Sequence, residues 1–94
     1  MKEHHHILHD EKSYKFYTKK GEKESYLVYD KPEFKTLEYQ KTFVPKELRG
    51  MGISQELAGH ALNYAKNMGF KVRPTCPVVE KFINEHPEYK EVVA

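Results

Sequence analysis

The residues best equipped for chemistry lie in one stretch, Thr42-Phe43-Val44-Pro45-Lys46-Glu47-Leu48-Arg49-Gly50-Met51-Gly52-Ile53-Ser54. An extended apolar segment breaks at a proline, passes through a glycine-rich turn and enters a helix. The chemistry this pattern suits is anion binding. The first N–H groups of a helix have no intrahelical partner, and the aligned peptide dipoles leave partial positive charge there. Gly50 and Gly52 let a phosphate approach the main chain, while Arg49 adds a fixed cation with several donors. A plain strand-to-helix connection is the other reading of two glycines spaced by one residue. The second reactive group is Cys76, the single cysteine of the chain. Pro77 suits the first turn of a helix, so Cys76 stands just before a helix start, where a thiolate is favoured. A small buried hydrophobe is the alternative for such a residue.

Several other chemistries are excluded by what accompanies these residues. No Lys followed by Ser or Thr comes after the second glycine, as a P-loop needs, and the three-glycine dinucleotide fingerprint is incomplete. The opening Met1-Lys2-Glu3-His4-His5-His6 has the composition of a metal site. Three adjacent histidines cannot all face one ion, however, and no Cys or carboxylate cluster follows at ligand spacing. This stretch is expected to be a frayed polar terminus. One cysteine permits no intramolecular disulfide and fits a reducing compartment. No apolar run approaches the ~20 residues that span a bilayer, and the N-terminus lacks a signal-peptide core, so a soluble cytoplasmic protein is expected. The formal charge of +2 is too near neutral for a general nucleic-acid binder. Bases could still stack on a Tyr-rich sheet, with steep salt dependence as the sign.

Positioning these groups requires a sheet and two helices. Ninety-four residues suit a single domain, 1–94, and seven Tyr and five Phe offset the high charged fraction of 32%. Strand signals cover Ser13–Lys19, Ser25–Tyr29 and Phe34–Val44, joined by turns at Lys19–Lys23 and Asp30–Glu33. Ile7 and Leu8 pin the N-terminal end to the sheet, and His9–Lys12 reads as a turn. In the third strand Leu37, Tyr39 and Phe43 share one face, and Lys41 breaks the alternation as a bulge or an exposed edge. Ile53, Leu57, Ala61, Tyr64, Ala65 and Met68 recur at helical spacing, and Gly69 caps the helix. Phe70–Thr75 is a strand returning parallel to the sheet. A second helix runs from Pro77 to about His86 with Val78, Val79, Phe82 and Ile83 inward, and Pro87 ends it. The fold class is α+β: an antiparallel three-stranded sheet, a helix, a parallel strand and a C-terminal helix.

Arg49-Gly50-Met51-Gly52-Ile53-Ser54 after Thr42-Phe43-Val44-Pro45 resembles the coenzyme A pyrophosphate loop of the GNAT acetyltransferase superfamily. The family pattern is Arg or Gln, two residues, Gly, one residue, then Gly or Ala. Arg49, Gly52 and Ser54 occupy those places, Ser54 being a small departure whose hydroxyl can donate to phosphate. Val72-Arg73-Pro74-Thr75-Cys76-Pro77, Val79 and His86-Pro87-Glu88-Tyr89 narrow the match to the small YjdJ-type, or NATD1-like, GNAT-related proteins. These motifs cover about the C-terminal half, while the hairpin half agrees in layout only.

The resemblance implies binding of acetyl-CoA or coenzyme A. The pantetheine arm would lie along Phe43 and Val44 as an added strand. The pyrophosphate would sit on Arg49 through Ser54, that is Arg49, Gly50, Met51, Gly52, Ile53 and Ser54. The thioester would enter the gap between the Val44 strand and the Val72–Cys76 strand, bordered by Thr75. A backbone N–H near Val44 would serve the oxyanion. Cys76 would then be an acetyl-accepting nucleophile or an acid that protonates the departing thiol. Direct transfer to an amine competes with it and needs a base, for which Glu38, Glu47 and His86 are unplaced candidates. Some relatives carry His where Lys41 stands. His86 next to Pro87 reads first as a structural helix end. The two helices that build much of the acceptor site in full-length GNAT enzymes have no counterpart in Lys19–Lys23. An open groove follows, suited to a protein side chain, a terminal amine or a completing partner. A non-catalytic CoA-binding or protein-interaction module is the alternative class. Either would be a monomer or weak dimer, with no membrane or nucleic-acid partner expected.

Overall fold

The computed structural model describes residues 5–94. Its elements are β1 (Leu8–Asp10), β2 (Lys15–Lys20), β3 (Lys23–Glu33), β4 (Thr36–Phe43), α1 (Ile53–Met68), β5 (Lys71–Pro74) and α2 (Pro77–Glu85), with 3-10 turns at Lys46–Leu48 and Pro87–Val92. The five strands form one sheet in sequence order, β1 to β4 antiparallel and β5 parallel to β4. The α+β class and the returning parallel strand match expectation. The antiparallel part gains a fourth strand, because Leu8–Asp10 pairs with Lys15–Tyr17 where a turn was expected from His9. That turn falls two residues later, at 11–14. Asp10 Oδ1 accepts from the N–H groups of Lys12 and Ser13 at 3.1 and 3.2 Å, and these bonds hold its carboxyl below the usual range. Tyr14 leaves the strand with φ 55°, its ring stacked 5.4 Å from Tyr29.

Two more boundaries move. β3 continues through Asp30–Glu33, and the chain reverses at Phe34–Lys35, with Lys35 at φ 60° and Phe34 90% exposed at the tip. In β4, Tyr29 pairs with Tyr39 but Val28 pairs with Lys41, so Gln40 is an inserted bulge residue. The bulge reverses the parity that Leu37 and Tyr39 begin. Those two are buried, whereas Phe43 turns to the opposite face and packs 5.4 Å from Tyr26.

Buried side chains from the strands and both helices form one cluster, including Phe16, Leu27, Leu37, Leu57, Leu62 and Val79. Each large aliphatic or aromatic side chain so buried contributes roughly 1.5–3 kcal/mol. α1 has the expected bounds, with Gly69 left-handed at its C-terminus. Its inward stripe takes Ala58 and Leu62, while Met68, placed inside by spacing, is half exposed. Val79 and Ile83 anchor α2, and Val78 and Phe82 are partly buried beside them. Tyr39 crosses the core to donate its hydroxyl to the Ala61 carbonyl at 2.6 Å, tying β4 to α1. The other face of the sheet presents Leu8, Tyr17, Tyr26 and Phe43 in register across four strands.

Candidate functional site

β4 and β5 remain paired only from Thr36↔Lys71 to Tyr39↔Pro74. Beyond that the Tyr39 carbonyl accepts two bonds from the departing chain, from the Cys76 N–H at 2.9 Å and Thr75 Oγ1 at 3.1 Å. These bonds turn the chain into α2 while β4 runs on, so Gln40–Phe43 keep β3 on one edge and no strand on the other. The result is a gap between the end of β4 and the Thr75–Cys76 segment, shorter than the one expected along Val72–Cys76 because Val72–Pro74 stay paired to β4. The bulge at Gln40 also turns Thr42 toward this gap, where its Oγ1 lies 3.2 Å from Cys76 Sγ.

Cys76 is the residue before α2, with Pro77 opening the helix, and its carbonyl accepts from Glu80 N–H at 3.0 Å. Its side chain is 2% exposed, so the thiol lies behind the gap and not on its rim. Thr75 is exposed beside it. Phe43, expected to line the gap, gives it neither its ring, which faces the other way, nor its backbone groups, which pair with Tyr26 of β3. Val44 packs partly against the core, and its carbonyl accepts Arg49 Nε at 3.1 Å. That bond draws the Arg49 side chain from the glycine loop back to the end of β4. The remaining guanidinium N–H groups stay available.

The loop itself is shaped by Gly50 and Gly52, with φ 84° and 80°, a backbone that L side chains rarely adopt. Gly52 is the residue that caps α1, and no side chain caps the helix. The first N–H of the helix to find a partner is that of Glu56, on the Gly52 carbonyl at 3.1 Å. Among the described residues, the N–H groups of Gly50, Met51, Gly52, Ile53, Ser54 and Gln55 have no hydrogen-bond partner. A Cβ at Gly50 or Gly52 would meet nothing within 4 Å, so the space in front of these donors is open. Ile53 contributes only backbone, its side chain being buried, and Ser54 is half-buried with its hydroxyl unpartnered among the described residues.

Three residues escaped the sequence reading. Thr42 reaches Cys76 only because of the bulge. Glu56 and His5 meet beside the loop: His5 donates its N–H to Glu56 Oε1 at 3.1 Å, and its ring Nε2 lies 3.4 Å from the Met51 carbonyl oxygen. The expectation of a frayed terminus is therefore corrected at His5, whose side chain is 4% exposed, while Met1–His4 lie outside the described residues. No local signal marks a contact across 51 positions. Of the proposed bases, Glu47 pairs with Lys23 at 3.4 Å, its carboxyl lowered first by a backbone N–H and then by that lysine. His86 donates from Nδ1 to the Phe82 carbonyl at 3.0 Å, at its own helix end, and its ring stacks on Phe82. Among the described residues no group of His, Cys, Asp and Glu is arranged to hold a metal ion.

Known proteins share this arrangement of chain. Residues 13–92 match a family model described as GCN5-related N-acetyl-transferase. Protein NATD1 of Danio rerio is 36% identical over 67 residues, covering 69% of this chain and 61% of the relative. Protein NATD1 of Xenopus tropicalis is 34% identical over 61 residues, 65% of this chain and 56% of the relative. The chain therefore spans between half and two-thirds of the length of these curated relatives. The NMR solution structure of a GCN5-like protein from Staphylococcus aureus superposes with a TM-score of 0.73 at 20% identity, covering 95% of this chain and 87% of that one. The splayed sheet, the uncapped helix behind a glycine turn and the match over residues 13–92 make this chain a member of the GCN5-related N-acetyltransferase family, in its NATD1-like branch.

Proposed function

We propose that this chain binds acetyl-CoA and transfers the acetyl group to an amine. The observation that carries the reading is the run of unpartnered N–H groups from Gly50 to Gln55, set beside the edge of β4 that no strand covers. A pyrophosphate has the charge and the acceptors that these donors lack, and the helix dipole adds to the attraction. Arg49 stands at the junction of loop and strand and supplies further donors to the same anion. The open edge at Thr42 and Val44, on either side of Phe43, offers backbone partners to the amides of a pantetheine arm. Acetyl-CoA supplies an acyl thioester, whose carbon–sulfur bond breaks as the amine nitrogen takes the acetyl group.

Residues of the gap would handle charge and protons. The Val44 N–H, without a partner among the described residues, is the donor for the carbonyl oxygen as it gains charge. Cys76 S–H would protonate the departing sulfur, and the proton lost by the amine would restore the thiol through solvent. Thr42 Oγ1, 3.2 Å from Cys76 Sγ, orients that thiol. Thr75 completes the wall. The acceptor is an amine that reaches the gap without flanking helices, such as a protein side chain or a terminal amine. The single cysteine fits a cytoplasmic setting, and no described helix is long and apolar enough to cross a membrane.

An amide NMR titration with acetyl-CoA tests the cofactor. Saturable shifts confined to 43–54 and 75–77 are expected, and no shifts at millimolar ligand would sink the reading. Cys76→Ala should keep binding and slow product release from the thioester; transfer at the parent rate would make Cys76 structural. Burial of Cys76 favours a second reading, a CoA-binding module without turnover. Tight binding with no acetylated product from a panel of amines and peptides would establish it.

A further inference from the structure

Glu56 stands in the first turn of α1, where a carboxylate is attracted to the helix's own N-terminal N–H groups. Helical side chains tilt toward the N-terminus, so a free Glu56 carboxylate would compete with any anion arriving from outside. In the structure it is held elsewhere. The main-chain N–H of His5 donates to Glu56 Oε1 at 3.1 Å, while the ring Nε2 lies 3.4 Å from the Met51 carbonyl oxygen and, beyond hydrogen-bond distance, 3.6 Å from Glu56 Oε2. The hydrogen-bond neighbour of Nε2 is a carbonyl oxygen, which only accepts, so Nε2 carries the ring proton. The His5 side chain is 4% exposed against 28% for Glu56, which places the ring inside and the carboxylate at the rim. His5 thus joins the residue between the two glycines, through its ring, to the helix that the glycines introduce, through its main-chain N–H.

We propose that His5 is a positioning residue for the phosphate loop: its ring, anchored on the Met51 carbonyl, fixes the main-chain N–H that holds the Glu56 carboxylate off the helix N-terminus, and so leaves the N–H groups of Gly50–Gln55 open to the pyrophosphate of a CoA thioester. The inference rests on the acetyl-CoA reading above. It gives Glu56 a conditional effect. With His5 in place the carboxylate is a tether for the N-terminal segment, and without it the same carboxylate is a competing anion.

The test is calorimetric titration of free CoA into wild type, His5→Ala, Glu56→Gln and the double variant, at fixed pH and salt. His5→Ala, which keeps the main-chain N–H but frees the segment from Met51, should weaken binding about two- to fivefold, the range that a charge in the first helical turn carries. Glu56→Gln in the same background should restore affinity to near the wild-type value, because an amide does not compete as an anion. His5→Gln, which keeps an N–H donor at the end of the side chain, should bind like wild type. A ring that only supported folding would not be rescued by a change at Glu56. Unchanged affinity in His5→Ala, or a double variant as weak as the single, would overturn the role. If wild type itself does not bind CoA, the cofactor reading fails first. The amide shifts of Met51, Gly52 and Glu56 in ligand-free His5→Ala then read the contact separately, and no change in them would overturn the tie as well.

Discussion

Three glycines of this protein offer a controlled measurement of where the phosphate lies. Gly21, Gly50 and Gly52 have φ of 64°, 84° and 80°, and a Cβ added at any of them would meet nothing within 4 Å. An Ala at each position therefore suffers the same backbone strain and no collision. Left-handed backbone costs a residue with a Cβ about 1–2 kcal/mol. In a chain of this size about 1 kcal/mol lowers Tm by about 4–8 °C. The three variants should accordingly melt within a few degrees of one another. Their affinities for CoA should part. Gly21 lies in the β2–β3 hairpin, while Gly50 and Gly52 frame the unpartnered N–H groups, where a methyl group occupies the space a phosphate oxygen needs. Gly50→Ala and Gly52→Ala should lose at least about tenfold, or about 1.4 kcal/mol, in binding, with Gly21→Ala unchanged. The assay is a thermal melt paired with calorimetric titration on the same samples. Equal affinity in all three would refute the reasoning, because strain alone would then explain everything these glycines do.

Acid should weaken the fold in a defined window. His9 and His60 are both held below the ordinary value of 6.5, His9 by burial, which outweighs the opposing field of Glu11, and His60 by burial and then by His6. A depressed folded-state value means that the unfolded chain binds more protons, so this stability is present above pH 6.5 and is lost as pH falls through it. Melts between pH 8 and pH 5 should show Tm falling, and His9→Gln should flatten the fall. A Tm that rises on acidification in this window would contradict it. Tyr39→Phe removes a fully buried bond to the Ala61 carbonyl and should cost about 1–2 kcal/mol in urea denaturation; no loss would mean that the hydroxyl contributes only shape. Ser25 behaves oppositely. Its Oγ is buried without a partner among the described residues, so Ser25→Ala should be neutral or stabilising by up to about 1 kcal/mol, and a clear loss would reveal an unseen partner.

Much of the fold was legible because it depends on local patterns. The α1 stripe from Ile53, the left-handed Gly69 and Pro77 at the start of α2 each follow from residues within a turn or two. The glycine loop was legible for the same reason: Gly50 and Gly52 supply a backbone that few other residues adopt. What stayed hidden depends on pairing across the sheet. Lys41 signalled a bulge or an edge, and the bulge is there with Gln40 inserted beside it, but nothing local told that it sends Phe43 outward and Thr42 toward Cys76. His9 looked like a turn residue, and it is drawn into β1 because its ring can stack 4.1 Å from Phe16 and meet the Tyr29 hydroxyl at 2.6 Å. A polar residue with aromatic neighbours reads as core only when those neighbours are known. His5 is the extreme case, since its partners lie half a chain away.

The order of strands in the sheet has a kinetic consequence. Because β1 through β5 are neighbours in space as they are in sequence, most of the sheet forms by closing short loops, a topology of low contact order that suits rapid folding. Even β4 and β5 wait only for the helix between them. The bond from His5 to Glu56 spans 51 residues and gains nothing until α1 has docked. Its closure belongs to the end of folding, and its opening to the least costly excursions from the native state. Amide exchange should show the glycine loop opening well before the sheet does, in a domain whose scaffold is complete before its binding loop is set.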